Sequence, residues 1–232
     1  AVPGTIFNEL QIEAGLSAVS IAMLGSMFTW IYGGMQLVVG FAADRHGGAR
    51  AFLAGGALLV TGSFWFPFAN TPGAMFAARA LTGLGASFLY LSLIKEIARI
   101  FGDTRFTHCV GILIGIGYAG GVTATLPFER MSSAFGWRPT LIAIAIAMVA
   151  AYIASFLLLR RFDPDRTAGT PVRLSVLGVV LRDRQCRPLM VTSSIAFPIM
   201  FVIQTVLGKK FLEDFAGLSS ATAATVIMGI AA

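Results

Sequence analysis

Few residues in this 232-residue chain could do chemistry, and most of those stand in short gaps between apolar runs. The stretch GFAADRHGGAR, residues 40–50, sets one carboxylate, Asp44, beside Arg45 and Arg50, with Gly40, Gly47 and Gly48 around them. A carboxylate so placed can accept hydrogen bonds from an arginine or from the N-terminus of a neighbouring helix. Gly40 suits close helix approach, and Gly47 and Gly48 suit a tight reversal. Glu96 ends a later apolar run and is a candidate partner for Arg45 or Arg50, with Lys95 or Arg99 as the alternative. Arg79 lies inside that run, where a charge is costly unless it faces a cavity or a partner. Gly83, Ala86 and Tyr90 continue its face at helical spacing. His46 and His108 fall at run ends, without HExxH or paired-carboxylate spacing, so no catalytic residue, metal or cofactor is expected. Cys109 and Cys186 show neither metal-type nor redox spacing.

The elements that must position these groups are helices in lipid. Hydrophobic residues make up 56% of the chain and charged residues 12%, whereas a soluble domain carries roughly twice that charged fraction. The formal charge of +6 has no soluble face on which to collect, so no nucleic-acid partner is expected. Crossing a hydrocarbon core takes roughly 20 apolar residues. Segments 17–43, 51–69, 74–100, 107–128, 138–159 and 188–208 meet that length, and a seventh begins near Ser219. None has the basic flank of a cleavable signal peptide. Of the cations in the gaps, eleven fall on one side (Arg45, Arg50, Arg99, Arg105, Arg160, Arg161, Arg166, Arg173, Arg182, Arg184 and Arg187) and four on the other (Arg130, Arg138, Lys209 and Lys210). The first side, with loop 44–50 and linker 160–187, is therefore expected to be cytoplasmic. Within that linker Leu174, Leu177, Val180 and Leu181 share a helical stripe, which reads equally as a short interfacial helix or as a solvated basic loop.

An internal repeat sets the domain plan. AGLSAVSIAMLG, from Ala14, returns as AGLSSATAATVIMG from Ala216, an offset of 202 residues; both copies follow acidic residues and both place a serine where it can cap a helix. Six spans separate the copies, so both halves have one orientation, as in a parallel duplication. The expected organisation is an N-terminal bundle, 1–159, lacking most of its first helix; a cytoplasmic linker, 160–187; and the start of a C-terminal bundle, 188–232. The parent protein is expected to have about twelve spans.

Gly40, Asp44, Arg45, Gly47 and Arg50 resemble the signature between the second and third helices of the major facilitator superfamily, with Ala49 where a second basic residue is frequent. RALTGLGA, from Arg79, is similar to the family's fourth-helix motif, with Thr82 where glutamine is frequent, and FGWRPT, from Phe135, is similar to the turn before its sixth helix. The glycine-rich segment from Gly111 matches the family's antiporter motif only at Gly120 and Gly121, so antiport is not indicated. The resemblance implies an all-α polytopic membrane protein, a bundle of two parallel six-helix repeats that is incomplete in this chain. It also implies that the 40–50 loop bridges the halves on the cytoplasmic side in the outward-open state. Gly40, Asp44, Arg45, Gly47, Arg50 and Glu96 then form a conformational latch. Arg79, Gly83, Tyr90 and Gln204 are expected to line a substrate or proton pathway, the alternative for Arg79 being to snorkel outward or bond to backbone carbonyls.

The expected function is secondary active transport of a small solute, anionic or zwitterionic if Arg79 or Lys95 meets it, by alternating access. No nucleotide-binding motif is present, so the energy source is expected to be an ion or solute gradient, and family resemblance favours a proton. The expected setting is a monomer in a bacterial inner membrane. Two other classes stand beside this reading. One is a transporter-like receptor or assembly subunit that moves no solute; the other is a membrane-embedded enzyme, which would need reactive groups at membrane depth.

Overall fold

Ser17 begins the first long helix by accepting the Ser20 N–H on its hydroxyl at 3.1 Å, the capping role expected of it. In the computed structural model the described residues are 6–162, 182–184, 186–188, 190–192, 195, 212, 215–218 and 226. Every long element among them is helical: α1 Phe7–Ala14, α2 Ala18–His46, α3 Gly48–Trp65, a 3-10 turn Phe66–Phe68, α4 Pro72–Phe135 and α5 Trp137–Phe162. Four helical segments, Ala18–His46, Gly48–Phe68, Pro72–Gly102 and Trp137–Arg161, are long and apolar enough to cross a membrane. They correspond to four of the expected spans. The fifth, 107–128, lies in the part of α4 beyond Gly102, and the remaining two fall largely outside the described residues.

Glycine makes the junctions. Gly47 (φ 86°) and Gly136 (φ 86°) each join two helices through a single residue in a conformation open chiefly to glycine. Gly102 (φ 60°, ψ −175°) interrupts α4 where a loop was expected between two spans. A single residue therefore redirects the chain, and no multi-residue loop forms. The repeat also has a local counterpart. Gly15 and Gly217, equivalent positions in the two AGLS copies, both have φ 61°.

The chain divides into two units, residues 1–114 with 125–171, and residues 115–124 with 172–232. In the second, the Arg187 N–H donates to the Asp183 carbonyl at 3.2 Å and the Leu218 N–H to the Leu212 carbonyl at 3.1 Å. The interfacial stripe at 174–181 and Gln204 lie outside the described residues.

In the first unit α3 is central, packed on α2 and α5. It approaches α4 along glycines seven residues apart. A Cβ at Gly48 would lie 2.6 Å from the Ser92 carbonyl, one at Gly55 2.8 Å from the Gly85 carbonyl, and one at Gly62 2.7 Å from the Thr82 nitrogen. Gly85 answers from α4, where a Cβ would meet the Leu59 backbone. Gly56 turns the other way, 2.9 Å from the Tyr152 ring of α5. Such contacts let backbones come close enough for dispersion to bind helices that lipid alone would not drive together. Close approach was expected at Gly40, but a Cβ there would be 3.7 Å from Leu91, an ordinary contact. Gly48, assigned from sequence to the reversal, serves the seam instead.

Large side chains gather at one end of this unit. Ile6, Leu10, Leu16, Ile21, Leu24, Phe66, Met75, Phe128, Trp137 and Leu141 form one buried cluster. The end bearing Asp44 is built otherwise.

Candidate functional site

Asp44 sits in the last turn of α2, and Lys95 one turn before Arg99 on α4; their side chains form an ion pair. Both are partly exposed, at 27% and 36%. The carboxylate therefore takes a lysine, where an arginine or a helix N-terminus was expected. The helix N-terminus goes to Glu96. Its Oε1 accepts the Ala49 N–H at 2.8 Å, one of the donors that the first turn of α3 leaves without an intrahelical partner. Gly47 has no side chain to cap them. The other oxygen, Oε2, accepts from Arg99 Nε at 2.8 Å and pairs with its Nη2 at 2.7 Å.

Glu96 is 6% exposed. A buried carboxylate is tolerated when it is paired and hydrogen-bonded on both oxygens, as here, and the positive end of α3 adds to the attraction. Of the pairings considered from sequence, Arg99 is the one formed. Arg45 and Arg50 are exposed and do not meet Glu96. The reason is geometric: Gly48 brings the first turn of α3 against Ser92 and Glu96, which puts a backbone N–H within hydrogen-bond distance of the carboxylate. Sequence reasoning missed this contact, although Gly48, Gly55 and Gly62 at seven-residue spacing signal a helix seam.

Arg79 lies two turns into α4, with its guanidinium over the Phe28 ring of α2, 4.9 Å from the centroid. Its Nε is buried without a hydrogen-bond partner among the described residues. Gly83, one turn on, presses against the same residue; a Cβ there would lie 3.1 Å from the Phe28 carbonyl. Arg79 and Gly83 are thus brought together at one α2–α4 crossing. Tyr90 is 42% exposed within the described residues, and Gln204 lies outside them. Lys95, considered as a cation for an anionic solute, is engaged by Asp44. An open apolar groove of about 510 Å³ runs between α3 and α5, lined by Val60, Thr61, Phe64, Trp65, Phe68 and Val149, and includes none of these residues.

No cluster of three metal-binding side chains occurs among the described residues. The arrangement can exchange ion pairs and hydrogen bonds at one helix junction and can hold a cation inside an apolar crossing.

The family model described as Major Facilitator Superfamily matches residues 1–232. The chain is 26% identical over 175 residues to the cephamycin export protein CmcT of Amycolatopsis lactamdurans, covering 75% of this chain and 35% of that protein. It is 28% identical over 183 residues to the puromycin resistance protein pur8 of Streptomyces alboniger, covering 77% and 36%. It is 28% identical over 163 residues to the multidrug resistance protein MdtL of Escherichia coli K12, covering 69% and 41%. The chain thus aligns with little more than a third of the length of these relatives. A match along all 232 residues, on a bundle of membrane-length helices whose second and third helices join through GFAADRHGGAR, places this chain in the Major Facilitator Superfamily as an integral membrane protein.

Proposed function

We propose that this chain works within a secondary active transporter that moves a small organic solute across the bilayer by alternating access, driven by an ion gradient, with a proton as the coupling ion. Export is the direction favoured by the relatives, which are named for export or drug resistance; driven by an inward proton gradient it is antiport, which the partial glycine motif at Gly120 and Gly121 alone did not indicate. In this reading the bundle 1–159, the linker 160–187 and the bundle beginning at 188 are the moving parts and their tether. The Asp44 end, with Arg160 and Arg161 closing α5, faces the cytoplasm.

The observation that carries the proposal is the junction of α2, α3 and α4. Asp44–Lys95 and Glu96–Ala49–Arg99 are short-range polar contacts that can be remade at modest net cost. Gly40, Gly47, Arg45 and Arg50 complete the latch; the two arginines are exposed and available to the other half of the transporter. Arg79, Gly83, Tyr90 and Gln204 border the path of solute or proton. Arg79 supports this most directly, because its buried Nε has no hydrogen-bond partner among the described residues at the Phe28 crossing.

The test is efflux from inverted vesicles or proteoliposomes holding the full-length protein. Candidate antibiotics or dyes are loaded and a pH gradient is imposed or collapsed. Gradient-dependent flux that is abolished by Arg79→Ala supports the reading. Solute binding with no flux under any ion gradient would replace it with a receptor-like role.

A further inference from the structure

At the end of the bundle opposite Asp44, Glu13 Oε2 accepts the Trp137 indole N–H at 3.1 Å and lies 3.5 Å from Arg138 Nε, an ion pair. The same guanidinium donates from Nη1 to Asn70 Oδ1 at 3.2 Å and stands over the Trp137 ring, 4.9 Å from its centroid. Glu13 is in the last turn of α1, Asn70 precedes α4, and Trp137 and Arg138 open α5. One arginine therefore joins three connections that are remote in sequence. Beneath them Ile6 and Leu10 are 0% exposed and share a cluster with Phe66, Met75, Phe128 and Trp137.

Helix α1 has eight residues, too few to be stable by itself. Ile6 and Leu10 seat it, and of its described side chains Gln11, Ile12 and Glu13 are exposed, so the exposed side of the helix needs its own tie to the bundle. A carboxylate held by an indole N–H and a guanidinium supplies that tie. The planar guanidinium hydrogen-bonds Asn70, pairs electrostatically with Glu13 at 3.5 Å and covers one ring in a single orientation, so its side chain is ordered once for three contacts.

We infer that Glu13, Asn70, Trp137 and Arg138 form a clasp that holds α1 on this end of the bundle, so that residues 6–16 and the first turns of α4 and α5 move as one body. Glu13 and Arg138 act as positioning residues. The clasp is a property of the bundle and does not depend on what the transporter moves.

Hydrogen–deuterium exchange on the full-length protein in lipid tests it without substrate or gradient, so a protein that moves no solute still gives an answer. In Arg138→Ala and in Glu13→Ala, the amides of 7–14 should exchange about five- to tenfold faster, as expected for losing partly exposed charge-assisted contacts. Arg138→Lys, which keeps the charge without the fork, should fall between. The double alanine variant should be little faster than either single one, because both serve one network. The peptide spanning 40–50 should not change. Unaltered exchange at 7–14 in both single variants, or effects that multiply in the double, would overturn the clasp. Should the alanine variants fail to fold, Trp137→Phe removes one N–H and keeps the ring; it should speed exchange at 7–14 alone, and no change there would overturn the inference.

Discussion

Around Asp44 the helices meet through small side chains and charges, the buried apolar residues being Val39, Ala43, Ala49 and Ala51, whereas around Trp137 they meet through Ile6, Leu10, Leu24, Phe66, Met75 and Phe128. Each large side chain buried at the second end is worth roughly 1.5–3 kcal/mol, and that sum is lost if the surface is opened to water. A hydrogen bond to the carboxylate at the first end nets about 1.5–3 kcal/mol, but water or another donor can replace the one released. A transporter that must open and close is therefore best hinged where polar contacts can be exchanged. It is best held rigid where apolar burial cannot. The two ends of one bundle differ in this way; in the proposed reading the charged groups at the first end make the gate, and those at the second orient a helix.

The seam that both ends share gives the largest expected effect. Gly85→Leu would drive a side chain into the Leu59 backbone, and overpacking of this kind costs typically 1–3 kcal/mol or more. Loss of monodisperse protein in detergent is the expected result; a well-folded variant would show that the helices can separate freely and that neither end is preset. Glu96→Ala comes next. It strips the Ala49 N–H and Arg99 of their acceptor, a loss of about 1.5–3 kcal/mol for contacts to a charge. Transport and thermal stability should both fall, while Glu96→Gln, still able to accept the N–H, should keep more of each. Equal losses in the two variants would mean that charge alone matters at this junction.

Trp137→Phe removes one donor from a half-exposed carboxylate and leaves the ring in the apolar cluster. A stability loss of about 0.5–1.5 kcal/mol is expected, with transport little changed; a large transport defect would mean that this end also gates. The smallest effect should come from Asp44→Asn. Its pair with Lys95 is partly exposed, and such pairs are worth about 0–1 kcal/mol. The inward–outward ratio, read by a distance probe across the gate, should move several-fold at most. A shift of two powers of ten would show that Asp44 has a second partner in the other half.

Spans, their order and their ends were legible because lipid imposes a long, nearly charge-free run on any helix that crosses it. Ala18–His46 and Trp137–Phe162 lie within a few residues of the expected 17–43 and 138–159. The family was legible in Asp44, Arg45 and Gly47. Ser17 was legible as a cap because capping is decided within one turn. Pairing was not legible in the same way. Asp44 with Lys95, Glu96 with Ala49, and Arg138 with Asn70 and Glu13 depend on how closely two helices pack and at what rotation. Several partners of suitable charge lay within reach of each group.

By itself, then, the sequence determined that this chain lies in a membrane as a helical bundle, where its helices turn, and which charges stand at their ends, since hydropathy, helix capping and glycine's access to positive φ act over a few residues. Only the tertiary structure decided which of those charges meet. A backbone N–H of α3 became the partner of Glu96 because Gly48 let α3 come within contact of Ser92, and a distance between two helices is set by every side chain along their seam.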